Sequence, residues 1–191
     1  MTQQPRLDGA RPTLQGTVGL RAARPADVPR IAELVSAYVV DRRLLAKDLV
    51  TLYEDVQEFV VAEHRSPATP EHPDGLTEVV GCGALHVMWA DLAEVRTVAV
   101  SGRLRGAGVG RSLVRELIGR ARSLGIARVF CLTFEREFFG SFGFREIEAA
   151  PVAPEVYEQL LRSHDEGVAE FLDLARVKPN TLGNHRMLLT L

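Results

Sequence analysis

The nine residues Arg103-Leu104-Arg105-Gly106-Ala107-Gly108-Val109-Gly110-Arg111 concentrate glycines and guanidinium groups between a β-branched run and a long stretch of helical apolar spacing. Glycines let backbone N–H groups converge on an oxygen-rich ligand, and a helix starting there adds unpaired N–H groups and the positive end of its dipole. Arginines 103, 105 and 111 can add charge-assisted, forked hydrogen bonds to phosphate oxygens. The chemistry this suits is anion binding, and a pyrophosphate fits it; the plainer alternative is a βαβ turn with surface arginines. Two phosphate-binding patterns fail here. A dinucleotide fingerprint needs glycine at position 111, which is arginine, and a P-loop needs Gly-Lys-Ser/Thr, whereas the lysines are Lys47 and Lys178.

A second group carries charge inside apolar sequence. Glu94 and Arg96 stand two apart in Glu94-Val95-Arg96-Thr97-Val98-Ala99-Val100, so strand alternation puts both on one face with Val98. Charges in a central strand need partners, so the two form either a cleft pair or a simple ion pair. Lys47 lies between apolar runs, either in a site or on a helix surface. His86 ends the preceding strand, where it can donate to a carboxylate, relay a proton or serve structure alone. The five histidines show no metal-ligand spacing, so no metal is expected. Ser163-His164-Asp165 is consecutive and cannot form a triad locally. Trp89 reads as packing. None of these last residues is assigned to the site.

These groups need elements to hold them. The sequence predicts a strand at Leu20–Ala23, then a helix to Tyr38 with Asp27 as N-cap and Val28, Ile31, Leu34, Val35 and Tyr38 on its buried face. A helix at Lys47–Glu54 follows, then a hairpin of Glu58–Glu63 and Glu78–Val87 around a Pro-rich loop. Glu94–Val100, a helix from Gly110 to Leu124 capped by Gly125, and the apolar strand Arg128–Thr133 make a right-handed βαβ unit. A short helix at Glu137–Phe142, an amphipathic stretch at Pro154–Leu174 and a last strand at Arg186–Leu191 complete the chain.

Composition bounds the function class. At 191 residues, 46% hydrophobic and 25% charged, the chain suits one globular α/β (α+β) domain, with residues 19–191 behind a disordered tail at 1–18. A net charge of -2 gives no general pull toward nucleic acid or anionic membrane. Cys82 and Cys131 sit in apolar runs as reduced, buried thiols. No apolar run approaches membrane-spanning length and no signal sequence is evident, so a cytoplasmic protein is expected.

Arg105, Gly108 and Gly110 match Gln/Arg-x-x-Gly-x-Gly/Ala, and Phe138-Phe139-Gly140-Ser141-Phe142-Gly143-Phe144 matches the ending Phe-x-x-x-Gly-Phe. With the strands and helix around them, these resemble motifs A and B of the GNAT N-acetyltransferases over nearly the whole chain. Leu44-Leu45-Ala46-Lys47, Val80–His86, Glu94–Val100 and Val129–Thr133 are similar to the short stand-alone N-acetylglutamate synthases. The amino-acid-kinase-like domain of longer members has no counterpart, so arginine feedback through it is not expected.

The resemblance implies a GNAT fold whose mixed sheet splays between its central parallel strands, with acetyl-CoA in the splay and no metal. Main-chain groups of Val98, Ala99 and Val100 would meet the pantetheine arm, and Arg105, Gly106, Ala107, Gly108, Val109, Gly110 and Arg111 would hold the pyrophosphate. A backbone N–H near Val98 would face the developing oxyanion. The implied reaction acetylates the α-amino group of L-glutamate or L-glutamine, the first step of arginine biosynthesis. Lys47, Arg96, His86, Thr133 and Arg136 are the candidate acceptor-binding residues. Glu94 and His86 are the candidates for moving its proton, because only a neutral amine attacks. Phe139, counted with the cofactor contacts, stands at the position where many members use a tyrosine acid; without one, water or the departing ammonium protonates the thiolate. An acidic acceptor predicts a basic cleft around Lys47, Arg96 and His86. A GNAT acting on another amine, a non-catalytic acetyl-CoA-binding protein and a homodimer stay open.

Overall fold

The computed structural model describes residues 15–39, 44, 47–174 and 184–191. Among these residues seven strands form one sheet in the order β1-β2-β3-β4-β5-β7-β6. They are β1 (Thr17–Ala22), β2 (Phe59–Arg65), β3 (Thr77–Trp89), β4 (Leu92–Val100), β5 (Arg128–Thr133), β6 (Arg145–Glu146) and β7 (His185–Thr190). The α-helices among the described residues are α1 (Val28–Val39), α2 (Leu49–Glu54), α3 (Val109–Ser123), α4 (Arg136–Gly140), α5 (Pro154–Leu160) and α6 (Glu166–Phe171). The β4–β5 pair is parallel and the other pairs are antiparallel, as expected where a helix crossover joins one pair.

Layering follows side-chain periodicity. The α3 positions Val109, Leu113, Val114, Leu117, Ile118 and Ala121 are buried on one side of the sheet. On the other side α1 packs Val28, Ile31, Leu34 and Val35 against Phe59, Val61, Cys82, Ala84 and Ala99. A third cluster joins Leu92 and Phe130 to Leu160, Val168 and Phe171 of α5 and α6, with Phe130 and Phe171 edge to face. Both cysteines are free and buried, and burial pushes the Cys82 thiol up to about 12.

Parallel pairing of β4 with β5 stops early: it covers Leu92↔Arg128, Ala93↔Val129 and Glu94↔Phe130. Beyond Glu94 the strands part, which is the predicted splay. β4 also bulges there, because Ala84 pairs with Arg96 and Cys82 with Ala99, leaving two β4 residues opposite one. Thr97 takes up the extra residue at φ 58, a conformation that costs a β-branched residue about 1–3 kcal/mol.

Several elements differ from the sequence expectation. β1 begins at Thr17, inside the stretch read as tail, while residues 1–14 lie outside the described residues. Asp27 does not cap α1 with its side chain; it is buried, accepts from Arg24 N at 2.7 Å and pairs with Arg21. The Pro154–Leu174 stretch is two helices, broken where Asp165 caps α6 by accepting from Val168 N. The short β6 was not anticipated.

Candidate active site

The Arg103–Arg111 segment begins as a 3-10 turn at Gly102–Leu104 and then turns through Gly106 and Gly108 at φ 79 and φ 86 into α3. Gly108 is the N-cap of α3 and supplies no side-chain cap, leaving N–H groups of the first helical turn without a cap from that residue. A Cβ added at either glycine meets nothing within 4 Å, so the loop borders open space. Arg105 lies over the Tyr38 ring at 5.2 Å. Arg111 bonds Ser141 Oγ at 3.1 Å and lies over Phe142. Arg103 pairs with Glu78. The loop therefore combines left-handed glycines, an uncapped 15-residue helix and guanidinium groups, the donor set a pyrophosphate needs.

Between this loop and the β4–β5 divergence, the outward edge of β4 is held by α1. Tyr38 Oη donates to Val100 O at 2.7 Å and accepts from Val100 N at 3.4 Å. Val100 and Val98 pack on the α3 side while Ala99 joins the α1 side. Strict alternation had put Val98 on the face of Glu94 and Arg96. The bulge at Thr97 reverses the order, so Val98 packs with α3 and the two charged residues face α2 and α6.

At the divergence lies a cavity of about 410 Å³. Residues 47–55 wall one side, Glu94, Arg96 and Thr97 form its floor, Leu132 comes from β5, and His164 to Gly167 with Glu170 close the far side. Arg96 is gripped on its cavity flank. It donates to Asp165 at 2.8 Å, Glu58 at 2.9 Å and Asp55 at 3.1 Å, with Glu94 at 4.0 Å. His86 sits behind this cluster, its Nδ1 2.6 Å from Glu58 Oε1 and its Nε2 3.7 Å from Asp165. The Glu58 hydrogen bond holds the imidazole pKa above its ordinary value against the opposing pull of burial. Burial is the largest single influence on Asp165 and acts upward, but the hydrogen bond and charge of Arg96, with Val168 N–H and His86, together hold its pKa below the ordinary value.

Glu94 is the exception in this network. It is 5% exposed, and its Oε2 is sealed from solvent with no hydrogen-bond partner among the described residues. Burial raises its pKa to about 7, Arg96 opposes the rise and Asp165 adds to it. A carboxyl so placed changes charge near neutral pH, as a proton acceptor must.

The remaining expected residues fall in different places. Lys47 lines the cavity, its Nζ 3.8 Å from Asp55. Thr133 is buried and accepts from Glu135 N at 2.9 Å. Arg136 is exposed and pairs with Glu146 at 3.3 Å, away from the cavity lining. Phe139 turns into the core, edge-on to Phe138 and Phe144, and it is Phe138 that approaches Gly110. Asp165 and His164, left out of the site by the sequence reading, line the cavity, and Asp55 and Glu58 were missed with them. Nor is the lining basic. Among described residues it carries Asp48, Asp55, Glu94, Asp165, Glu166 and Glu170 against Lys47 and Arg96. No cluster that could hold a metal ion occurs among the described residues, and no helix there is long and apolar enough to cross a membrane.

Residues 32–144 match the acetyltransferase (GNAT) family. The chain is 54% identical, over the full length of both proteins, to the amino-acid acetyltransferase of Mycobacterium tuberculosis strain H37Rv. It is 33% identical to the amino-acid acetyltransferase of Neisseria meningitidis over 67% of this chain and 27% of that one. Among solved structures, Rv2747 of Mycobacterium tuberculosis in complex with CoA and NLQ superposes with a TM-score of 0.79 at 54% identity, covering 91% of this chain and 99% of the other. N-acetylglutamate synthase of Neisseria gonorrhoeae, complexed with coenzyme A and N-acetyl-glutamate, gives 0.67 at 26% identity over 93% of this chain and 36% of that one. The matched segment holds most of α1, the strands β2 to β5 and the glycine loop, and the chain belongs to the GNAT acetyltransferase family.

Proposed function

We propose that the protein is a cytoplasmic amino-acid N-acetyltransferase that moves the acetyl group of acetyl-CoA to the α-amino group of L-glutamate, as the first step of arginine biosynthesis. The observation that carries the reading is Glu94: a buried carboxyl with an unpartnered oxygen, at the floor of a cavity that opens where β4 and β5 part. The uncapped glycine loop at the other end of β4 fits the cofactor's pyrophosphate. Named relatives that are amino-acid acetyltransferases support the acceptor class.

Acetyl-CoA supplies the activated acyl group. Residues 105–111 bind its phosphates, and the edge of β4 at Val98 to Val100, where Tyr38 Oη already holds Val100, aligns its arm. Lys47 attracts a carboxylate of the acceptor. Arg96, already held by three carboxylates, fixes the cavity floor. Glu94 takes a proton from the acceptor ammonium, and the amine then attacks with His86 steadying Glu58 beneath Arg96. The sheet that begins with β1 at Thr17 and the helices on it act as one catalytic domain.

The excess of carboxylates in the described lining favours a second acceptor, L-glutamine, whose neutral amide avoids the repulsion that a side-chain carboxylate meets. Thiol release from acetyl-CoA, followed across glutamate, glutamine, other amino acids, polyamines and peptide N-termini, tests both. Turnover confined to glutamate and glutamine supports the reading, and preference for a polyamine or peptide sinks it. In the same assay Glu94→Gln is expected to lower kcat by about 10²- to 10⁴-fold near pH 7 and by less at high pH, where the amine deprotonates unaided. A near-normal kcat from pH 6 to 9.5 would remove Glu94 from the mechanism.

A further inference from the structure

Gly167 lies in the first turn of α6, directly over Glu94. A Cβ built there overlaps Glu94 Oε2 and comes within 2.9 Å of Glu94 Cδ and 3.0 Å of Asp165 Oδ1. Its φ is not among the positive values in the chain, so the backbone does not call for glycine, and in a helix glycine is less stable than alanine. What demands a bare Cα is the space occupied by Glu94. Independently, Oε2 is the buried side-chain oxygen that lacks a partner among the described residues, and a polar atom left in that state is costly unless something comes to meet it.

We propose that Gly167 is a positioning residue for proton removal: by lacking a side chain it lets α6 close over Glu94 and keep water from Oε2, leaving the carboxylate unsolvated until the acceptor ammonium arrives. The proposal rests on Glu94 as proton acceptor. The ammonium gives one proton to Glu94, which becomes a neutral carboxylic acid. The freed amine lone pair forms the C–N bond to the acetyl carbon as the C–S bond breaks, and the second amine proton goes to the leaving thiolate. Glu94 then returns its proton to solvent.

The charges that act on Glu94 are Arg96 on β4, Asp165 ahead of α6, His86 on β3 and Lys47 ahead of α2, and Asp48, His164, Glu166 and Glu170 share its cavity lining. Asp55 and Glu58 act on it through Arg96. Among these, Asp165 also meets the added Cβ, 3.0 Å from its Oδ1, and moving that carboxylate away lowers the Glu94 pKa in the same direction as solvation does. A methyl at Gly167 pushes the flexible end of Glu94 aside and lets water in. Its ionisation then moves to lower pH and the carboxylate is misplaced.

The pH dependence of kcat from about pH 5 to 9.5 is compared in the wild type, Gly167→Ala, Glu94→Gln and Val168→Ala, a packing control beside Phe130 and Phe171. Melting temperature and acetyl-CoA affinity are measured alongside. Gly167→Ala should keep its acetyl-CoA affinity, lose at least about tenfold in kcat and shift the acid limb down by about one pH unit or more. Val168→Ala should lower the melting temperature and leave the limb in place. An unmoved limb in folded Gly167→Ala overturns the positioning role while Glu94 stands. A normal profile in Glu94→Gln overturns the proton acceptor itself. If Gly167→Ala does not fold, Gly167→Ala/Glu94→Asp should, because the shorter acid withdraws from the methyl; failure of that rescue overturns the contact.

Discussion

The role proposed for Glu94 carries a cost that a calorimeter can read. Its folded pKa of about 7 stands above the ordinary 4.5, first because burial disfavours the charge, with Arg96 opposing and Asp165 reinforcing. A carboxyl with a raised folded pKa holds its proton more tightly in the native chain than in the unfolded one, so stability falls as pH climbs through that interval. Glu94→Gln removes the ionisation, and the variant should melt above the wild type at pH 8 by at least about 2 °C. The advantage should fade as pH falls below 4.5. A variant that melts below the wild type at pH 8 would mean that Glu94 stabilises Arg96 more than it costs to bury. His86 adds a slope of the same sign in both proteins. Its raised pKa contributes stability that is full below 6.5 and is lost as pH rises through the folded value.

The element whose chemistry is most local is the turn into α3. Gly108 occupies the left-handed region at φ 86 with open space beyond it. Gly108→Asp therefore strains the turn modestly and sets a carboxylate where an anion should bind. Arg105→Ala removes a charge-assisted contact worth about 1.5–3 kcal/mol, roughly 10- to 150-fold in Kd. Calorimetric titration with acetyl-CoA should show weaker binding in both variants with the fold retained. Unchanged affinity in folded Gly108→Asp would take the pyrophosphate away from this loop. The Tyr38 hydroxyl on Val100 belongs to the same scale, since the last turn of α1 reaches the β4 edge where the cofactor arm is proposed to lie.

The cavity proposed to take the acceptor exists only at the scale of the whole molecule. Its walls come from residue 47 onward, from β4, from β5 and from the start of α6, segments more than a hundred residues apart in sequence. Lys47 enters it on one wall and is balanced there by Asp55. Lys47→Met is expected to raise KM for glutamate with little change in that for acetyl-CoA, the pattern of lost acceptor binding. It should cost glutamine less, because one fewer carboxylate needs a counter-charge. Equal changes for both substrates would assign Lys47 to general stability or to the cofactor.

The glycine turn into α3, the βαβ unit around it and the free thiols were legible in sequence because their signals are local: glycines between a β-branched run and a periodic helix, and cysteines within apolar strands. Glu94 and Arg96 could be singled out because two charges in a central strand need partners. Which partners they find was decided by tertiary structure. The extra residue at Thr97 reverses the facing of Val98, a register event that alternation cannot foresee. Asp165 reaches Arg96 only because the chain breaks between α5 and α6 and returns across the β4–β5 gap, joining Asp55 and Glu58 from the opposite wall. Spacing in sequence determines which residues share an element. The charge of the cavity, the burial of Glu94 and the bare Cα of Gly167 depend on how separate elements close on one another, and only long-range packing sets that distance.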